Sequence, residues 1–296
     1  MRWQWAVVAF VAALSSTPSG QQFRSGAELV SVDVLVTDGR SPIAGLTAAD
    51  FELTDNGVPQ TVEQIYVEQL PLNVVMVLDR SGSVRGERLR ALKAGALTVI
   101  DRLRPRDRAA LVSFSHRLDL GAALTGDTAT LRRSVETLDA EGSTALRDAA
   151  FAALALRTAE VTRTLVLLFS DGLDTASILS EAQVLEIARR SDAIVYTIGI
   201  RERPARNRPG YRLRSDRPVD DRFLERVSRE TGGRLLYAEE NRDIERTFGR
   251  ALDEFNTRYV LGYAPRGVVG SGWHRLEVRL KKRSGTVLAR RGYFAE

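Results

Sequence analysis

Val74 to Val84 reads VVMVLDRSGSV, an apolar run that ends abruptly in an aspartate, two serines and a glycine. An unbroken apolar run bounded by turn residues is the pattern of a strand buried on both faces. Strands of that kind belong to parallel sheets covered by helices on either side. The polar tail sets Asp79, Ser81 and Ser83 at alternate positions just past the strand's carboxyl end. That edge is where open α/β sheets hold their ligands.

Outward from this stretch, strand and helix patterns alternate. RAALVSFS, RTLVLLFSD and DAIVYTIGI are further apolar runs, with shorter strands at HRLDLG and RLLYAE. ERLRALKAGALTVIDRL places Leu89, Leu92, Ala96, Val99, Ile100 and Leu103 on one helical face. TATLRRSVETL, ALRDAAFAALALRT, SEAQVLEIARRS, DDRFLERVSRET and NRDIERTFGRALDEF also read as helices. This order predicts a doubly wound α/β unit with a mostly parallel, Rossmann-like sheet over residues 71–256.

On both sides of that unit the pattern is β-rich. In residues 27–70, LVSVDVLVTD alternates at Val30, Val32, Val34 and Val36, and TDGRSP and DNGVP supply turn chemistry. In residues 257–296, RYVLGYAP, WHRLEVRLKK and TVLARRGYF read as strands. The expectation is that the two segments pack together as one smaller β domain, with the α/β unit inserted between them.

The chain has 296 residues, 44% hydrophobic and 27% charged, which is globular composition. Without cysteine it can form no disulfide, thiolate metal site or cysteine nucleophile. Residues 1–22 have the layout of a secretory signal peptide: Arg2, the apolar run Ala6 to Leu14, then small and turn-forming residues. That run is too short for a comfortable membrane span. The expected location is therefore secreted, periplasmic or otherwise at the cell envelope. The formal net charge is +5, and seven arginines between Arg201 and Arg217 account for much of the excess.

Two more segments, a strand end and a helix start, carry oxygen-bearing groups. Ser170, Asp171 and Gly172 follow RTLVLLF, and Thr144 sits in EGSTALRD at the start of a predicted helix. Taken singly, Asp79, Ser81 and Thr144 could cap helices, and Asp171-Gly172 could form a turn. Taken together, three segments bring hard oxygen donors to one rim, with Gly82 read as allowing a tight turn there. Hard donors suit a hard divalent cation: Mg²⁺ first, with Mn²⁺ or Ca²⁺ as alternatives.

This set resembles the metal-ion-dependent adhesion site of von Willebrand factor A (VWFA) domains. The family's DxSxS pattern matches Asp79, Ser81 and Ser83, its threonine matches Thr144, and its later aspartate matches Asp171. The resemblance covers roughly Leu72 to Phe255, and the flanking segments are similar to those of a bacterial, largely acidobacterial, VWFA-related family. It implies an ion held by Ser81, Ser83 and Thr144, with Asp79 and Asp171 near it. It also implies a protein partner that presents an acidic residue to the ion, and a role in adhesion, assembly or scaffolding.

The residues favour binding over catalysis. An aspartyl phosphatase of the haloacid-dehalogenase type would want a second aspartate where Ser81 stands, and a receiver domain would want an acidic pair before the first helix. A serine hydrolase would need a histidine, but His116 and His274 read as solvent-facing strand residues far from the rim. A Mg²⁺-dependent hydrolase or phosphatase-like enzyme is the alternative, as is a structural VWFA domain within a larger complex. Arg201, Arg203, Arg206 and Arg208 are candidates for steering an acidic partner surface. Nucleic acid is not expected, because Tyr211 is the sole stacking platform in that loop.

Overall fold

A computed structural model describes residues 29–39, 41–67, 70–156, 163–171, 173–200, 221–268 and 270–295. The expected signal segment 1–22 lies outside the described residues, as do Arg201, Arg203, Arg206 and Arg208. The chain begins with β1 (Val30–Asp38), β2 (Ser41–Pro42), β3 (Phe51–Asp55), β4 (Val58–Gln60) and β5 (Gln64–Val67). The alternating region follows: β6 (Leu72–Asp79), α1 (Glu87–Asp101), β7 (Arg108–Phe114), β8 (Leu118–Thr125), α2 (Thr128–Glu136), α3 (Leu146–Ala155) and β9 (Arg163–Phe169). It continues through α4 (Glu181–Arg190), β10 (Ile194–Ile200), α5 (Asp221–Glu230), β11 (Leu235–Ala238) and α6 (Ile244–Asn256). β12 (Tyr259–Tyr263), β13 (Gly272–Leu280), β14 (Thr286–Ala289) and β15 (Gly292–Ala295) complete the chain.

The alternating region forms a six-stranded sheet in the order β11-β10-β9-β6-β7-β8. Its pairings are parallel except for β7 with β8. β6 is buried at every position because its two faces meet different helices. Val74, Met76 and Leu78 share a core with α1, α2 and α6, while Val75 and Val77 share one with α3, α4 and α5. The strand order reverses at β6: β7 lies on one side of it and β9, then β10, on the other. The crevice between β6 and β9 is thus the topological switch point, where ligands of doubly wound sheets sit.

The β-rich ends build two antiparallel sheets, β14-β1-β12-β5 with β2 beside β1, and β15-β13-β3-β4. Each sheet mixes strands from both ends of the chain, as in the registers Val32↔Leu261 and Leu53↔Val278. Val32, Val34, Val36, Phe51, Leu53, Tyr259, Leu261 and Leu276 form a core common to the two sheets. β3 and β4 are joined through Asn56 and Gly57, both at positive φ (48° and 81°). That is the two-residue hairpin for which an Asn-Gly pair is suited, as the DNGVP motif suggests.

A buried polar knot ties the antiparallel sheets to the amino-terminal edge of the parallel one. The Asp33 carboxylate on β1 accepts from Arg163 Nε at 3.0 Å and Nη2 at 2.5 Å. Arg163 is the first residue of β9, and its guanidinium also lies 4.3 Å from the Phe255 ring centroid. Arg258, fully buried, donates to the carbonyls of Asp33, Gly232 and Leu288 and to the Tyr196 hydroxyl. Arg290 donates to the carbonyls of Arg189 and Ser191, which end α4. These contacts hold the β-rich sheets at the end of the molecule opposite the β6–β9 crevice.

His274 corrects the sequence reading: it is 4% exposed, not solvent-facing. Its Nδ1 lies 3.0 Å from Asp55 Oδ1, and its Nε2 lies 2.9 Å from the Gly270 carbonyl. His116 is exposed, as expected, but it lies in the turn between β7 and β8 rather than in a strand, and against Gly142 at the carboxyl edge of the sheet rather than far from it.

Candidate functional site

Four loops meet at the carboxyl edge of the sheet around the switch point. β6 runs out at Asp79, whose backbone still pairs with Phe114, and the chain then turns through Ser81 into a short 3-10 turn, Gly82–Val84. That turn is fastened by three backbone bonds, one to the end of β7 and two to the α2–α3 loop. Arg80 N donates to Phe114 O at 2.7 Å, Glu141 N to Arg80 O at 2.8 Å, and Gly82 N to Gly142 O at 2.9 Å. Gly142 has φ 74°, and a Cβ there would stand 2.2 Å from His116 Nδ1. Only glycine fits that backbone and that space. The tightness thus resides at Gly142, whereas Gly82, read from sequence as the turn-maker, is absent from the positive-φ set.

Asp79 is the centre of the arrangement. Its side chain is fully buried; Oδ1 accepts from Ser81 N at 2.8 Å, and Oδ2 accepts from Ser170 Oγ at 2.8 Å. Burial pushes its carboxyl up to about 6, and the charge of Asp171 pushes in the same direction against the Ser81 and Ser170 hydrogen bonds. Ser81 Oγ and Ser83 Oγ are 2.9 Å apart, with Ser81 buried and Ser83 exposed. Arg88 on α1 closes the circle: its Nη1 donates to Ser83 O at 3.2 Å and lies 4.0 Å from Asp171 Oδ2.

Thr144 and Asp171 arrive on a shared scaffold. Thr144 is 5% exposed and Asp171 9%. Thr144 N donates to Thr175 Oγ1 at 3.0 Å, and Thr144 O accepts from the backbones of Thr175 and Ala176. The local capping alternative fails for each residue. α1 is preceded by Gly86 and α3 by Ala145, neither giving a side-chain cap. α3 is capped instead from a distance, with Arg147 N donating to Asp174 Oδ2 at 2.9 Å and to Ser177 Oγ at 3.0 Å. Sequence reading missed Gly142, Arg88, Asp174, Thr175 and Ser177. The signal available was the run DTAS at residues 174–177, three positions past Asp171 and dense in short hydrogen-bonding side chains.

The donor set fits a hard cation. Two buried carboxylates repel each other across a rim that also offers three hydroxyls, and a divalent charge would turn that repulsion into attraction. Among the described residues, no cluster of three or more His, Asp or Glu side chains is gathered as a metal cage. Any ion here must therefore depend on hydroxyls as well as carboxylates.

Residues 74–173 match the family model described as the von Willebrand factor type A domain. The chain contains a von Willebrand factor A domain. An uncharacterized protein of Synechocystis, sll0103, is 35% identical over 104 residues, 31% of this chain. The match covers 25% of that relative's own length. A von Willebrand factor type A structure from Catenulispora acidiphila superposes with a TM-score of 0.55 at 14% identity, over 88% of this chain and 75% of that one. Proximal thread matrix protein 1 of the mussel byssus, whose structure has a zinc-occupied MIDAS motif, gives a TM-score of 0.53 at 16% identity, over 69% and 50%. At these identities the structural likeness speaks for the fold alone.

Proposed function

We propose that this A domain binds a protein partner through a divalent cation held by Asp79, Ser81, Ser83, Thr144 and Asp171. What supports the reading is the buried Asp79 carboxylate at the switch point of the sheet, held by Ser81 N and Ser170 Oγ, next to the paired Ser81 and Ser83 hydroxyls and within the electrostatic reach of Asp171. Asp79 is aimed by Ser170 and the Ser81 backbone, so its position is set before any ion arrives. With hydroxyls making up much of the donor set, a bound cation would keep part of its charge and offer a seat for a partner's carboxylate. Mg²⁺ suits these donors best, with Mn²⁺ and Ca²⁺ as alternatives; the zinc in the mussel neighbour adds a fourth ion to test.

On this reading the partner presents an acidic residue, and Arg201, Arg203, Arg206 and Arg208 steer its approach from the segment after β10. The work is adhesion, assembly or scaffolding at the cell envelope, in keeping with the expected signal segment. Among the described residues no helix is long and apolar enough to cross a membrane. Residues 27–70 and 257–296 then form one β module that carries the A domain, supported by their mixed strand pairing. Calorimetric titration of Mg²⁺, Mn²⁺, Ca²⁺ and Zn²⁺ into the chain tests the ion, and pull-down with and without EDTA tests the partner. Heat absent for all four ions, or unchanged in Asp171→Ala, would overturn the proposal.

One observation favours a hydrolytic reading: His116 abuts Gly142 at the same rim. Turnover of an aryl phosphate with Mg²⁺, abolished by Asp79→Asn, would establish it.

A further inference from the structure

A hollow away from the oxygen rim lies where the β-rich sheets meet the carboxyl ends of α4 and α5. It encloses about 350 Å³ and is lined by Arg189, Glu230, Trp273, Arg275, Glu277 and Arg291. That volume is within the range of small-molecule sites. Its walls come from both parts of the molecule. Arg189 and Glu230 sit in the last turns of α4 and α5. Trp273, Arg275 and Glu277 alternate along β13, on the face opposite the buried His274 and Leu276. Arg291 stands just before β15. The walls are fastened to one another. Arg290 Nη2 donates to the carbonyls of Arg189 and Ser191 at 3.3 and 3.1 Å, and Leu276 N donates to Arg291 O at 2.9 Å.

The charges in the lining do not cancel. Arg189 Nε donates to Glu230 at 2.6 Å, and Arg275 Nη2 reaches Glu277 at 2.9 Å. Each carboxylate is thereby neutralised by an arginine of its own wall. Arg291 is exposed and has no ion-pair partner among the described residues. Three guanidiniums against two carboxylates leave one positive charge over. A guanidinium grips a planar carboxylate through two parallel hydrogen bonds. The remaining feature is aromatic. Trp273 pairs with Phe294 across the β13–β15 ladder, ring centroids 5.3 Å apart, and Arg190 Cζ lies 4.0 Å from the Phe294 centroid. The indole is thus held by its neighbours, so a ring that docks on it meets a surface with little ordering left to do.

We propose that this hollow binds a small ring-bearing monoanion, its carboxylate on Arg291 and its ring against Trp273. One surplus positive charge suits a carboxylate better than a phosphate dianion. Aromatic acids and uronic sugars share this chemistry. The hollow lies at the end of the molecule opposite the β6–β9 crevice, so its occupancy is independent of the cation-dependent binding proposed above.

The tryptophans of the chain are Trp3, Trp5 and Trp273. In Trp3→Phe/Trp5→Phe the indole emission therefore comes from the hollow itself. Titrating that variant with benzoate and with glucuronate should give a saturable change in emission with at least one of them, and the acid that responds identifies the source of the ring. Benzamide and glucose, the uncharged counterparts, should give none. Acetate, which lacks the ring, should bind about tenfold more weakly. Adding Arg291→Ala, with an unchanged thermal melt, should weaken the responding acid by about tenfold or more, the worth of a charged hydrogen bond. The proposal is overturned by the absence of a saturable change with either acid, or by full affinity in Arg291→Ala. It is equally overturned if acetate, inorganic phosphate or the uncharged counterpart binds as tightly as the ring acid.

Discussion

Asp55 and Asp79 both end a strand, and both are 0% exposed, yet their surroundings are opposite. Asp55 lies in the β-rich sheets with its oxygens saturated. Tyr263 OH donates to Oδ2 at 2.8 Å, Tyr293 OH donates to it at 2.9 Å, and His274 Nδ1 lies 3.0 Å from Oδ1. The cost of this arrangement falls on the tyrosines: burial and the Asp55 bond push both phenols up, Tyr293 to about 12. Asp79, at the rim of the parallel sheet, has one backbone amide and serine hydroxyls as partners and a second carboxylate as a neighbour. The difference teaches that burial alone does not mark a site. A buried carboxylate ringed by donors holds a fold together, whereas one near another carboxylate is left with repulsion that its hydrogen bonds do not cancel.

The comparison can be broken by stability measurements. The largest effect should come from Asp55→Ala, which strands two phenols and an imidazole in the core. A loss of about 3–5 kcal/mol is expected by urea unfolding. A loss below about 1 kcal/mol would mean that the cluster is not what holds the β-rich sheets. Next comes the cation itself. At a hundredfold excess over its dissociation constant, Mg²⁺ should stabilise the wild type by about 2.7 kcal/mol. For a domain of this size that is a rise of about 5–10 °C in Tm. The rise should vanish in Asp171→Ala and leave Asp55 variants as responsive as the wild type.

The contrast sharpens with Asp79→Asn in EDTA. Removing a buried charge that faces Asp171 should raise stability by about 1–2 kcal/mol, the reverse of the Asp55 result. A destabilisation of that size would show that Asp79 is structural after all. The smallest effect belongs to Ile178→Ser, whose side chain touches almost nothing. Its unfolding free energy should stay within about 0.5 kcal/mol of the wild type.

How much of this was legible beforehand varies by element. The β6 run was readable because burial on two faces leaves no polar positions to interrupt it, and all eight of its residues are buried. Asp79, Ser81 and Ser83 were readable as a group because the chain itself keeps them together. Thr144 and Asp171 were readable as candidates, but where they stand relative to Asp79 depends on β9 pairing with β6 and on the Gly142 contact. His274 was misread although its phase was available. In WHRLEVRL it shares parity with Leu276, which faces the core. A histidine was assigned to solvent because the carboxylate that satisfies it, Asp55, lies 219 residues away. The α3 cap was missed for the same reason, since Asp174 and Ser177 replace the local N-cap.

By itself the amino-acid order determined the alternation of strands and helices, the two-faced burial of the parallel strands, and the supply of hard oxygens at their ends. Those follow from backbone periodicity and side-chain chemistry, which act over a few residues. Tertiary structure alone decided which of those oxygens are saturated and which repel one another. It did so because hydrogen-bond partners and charges act through space, and the order of strands in the sheet, not the order of residues in the chain, sets who stands beside whom.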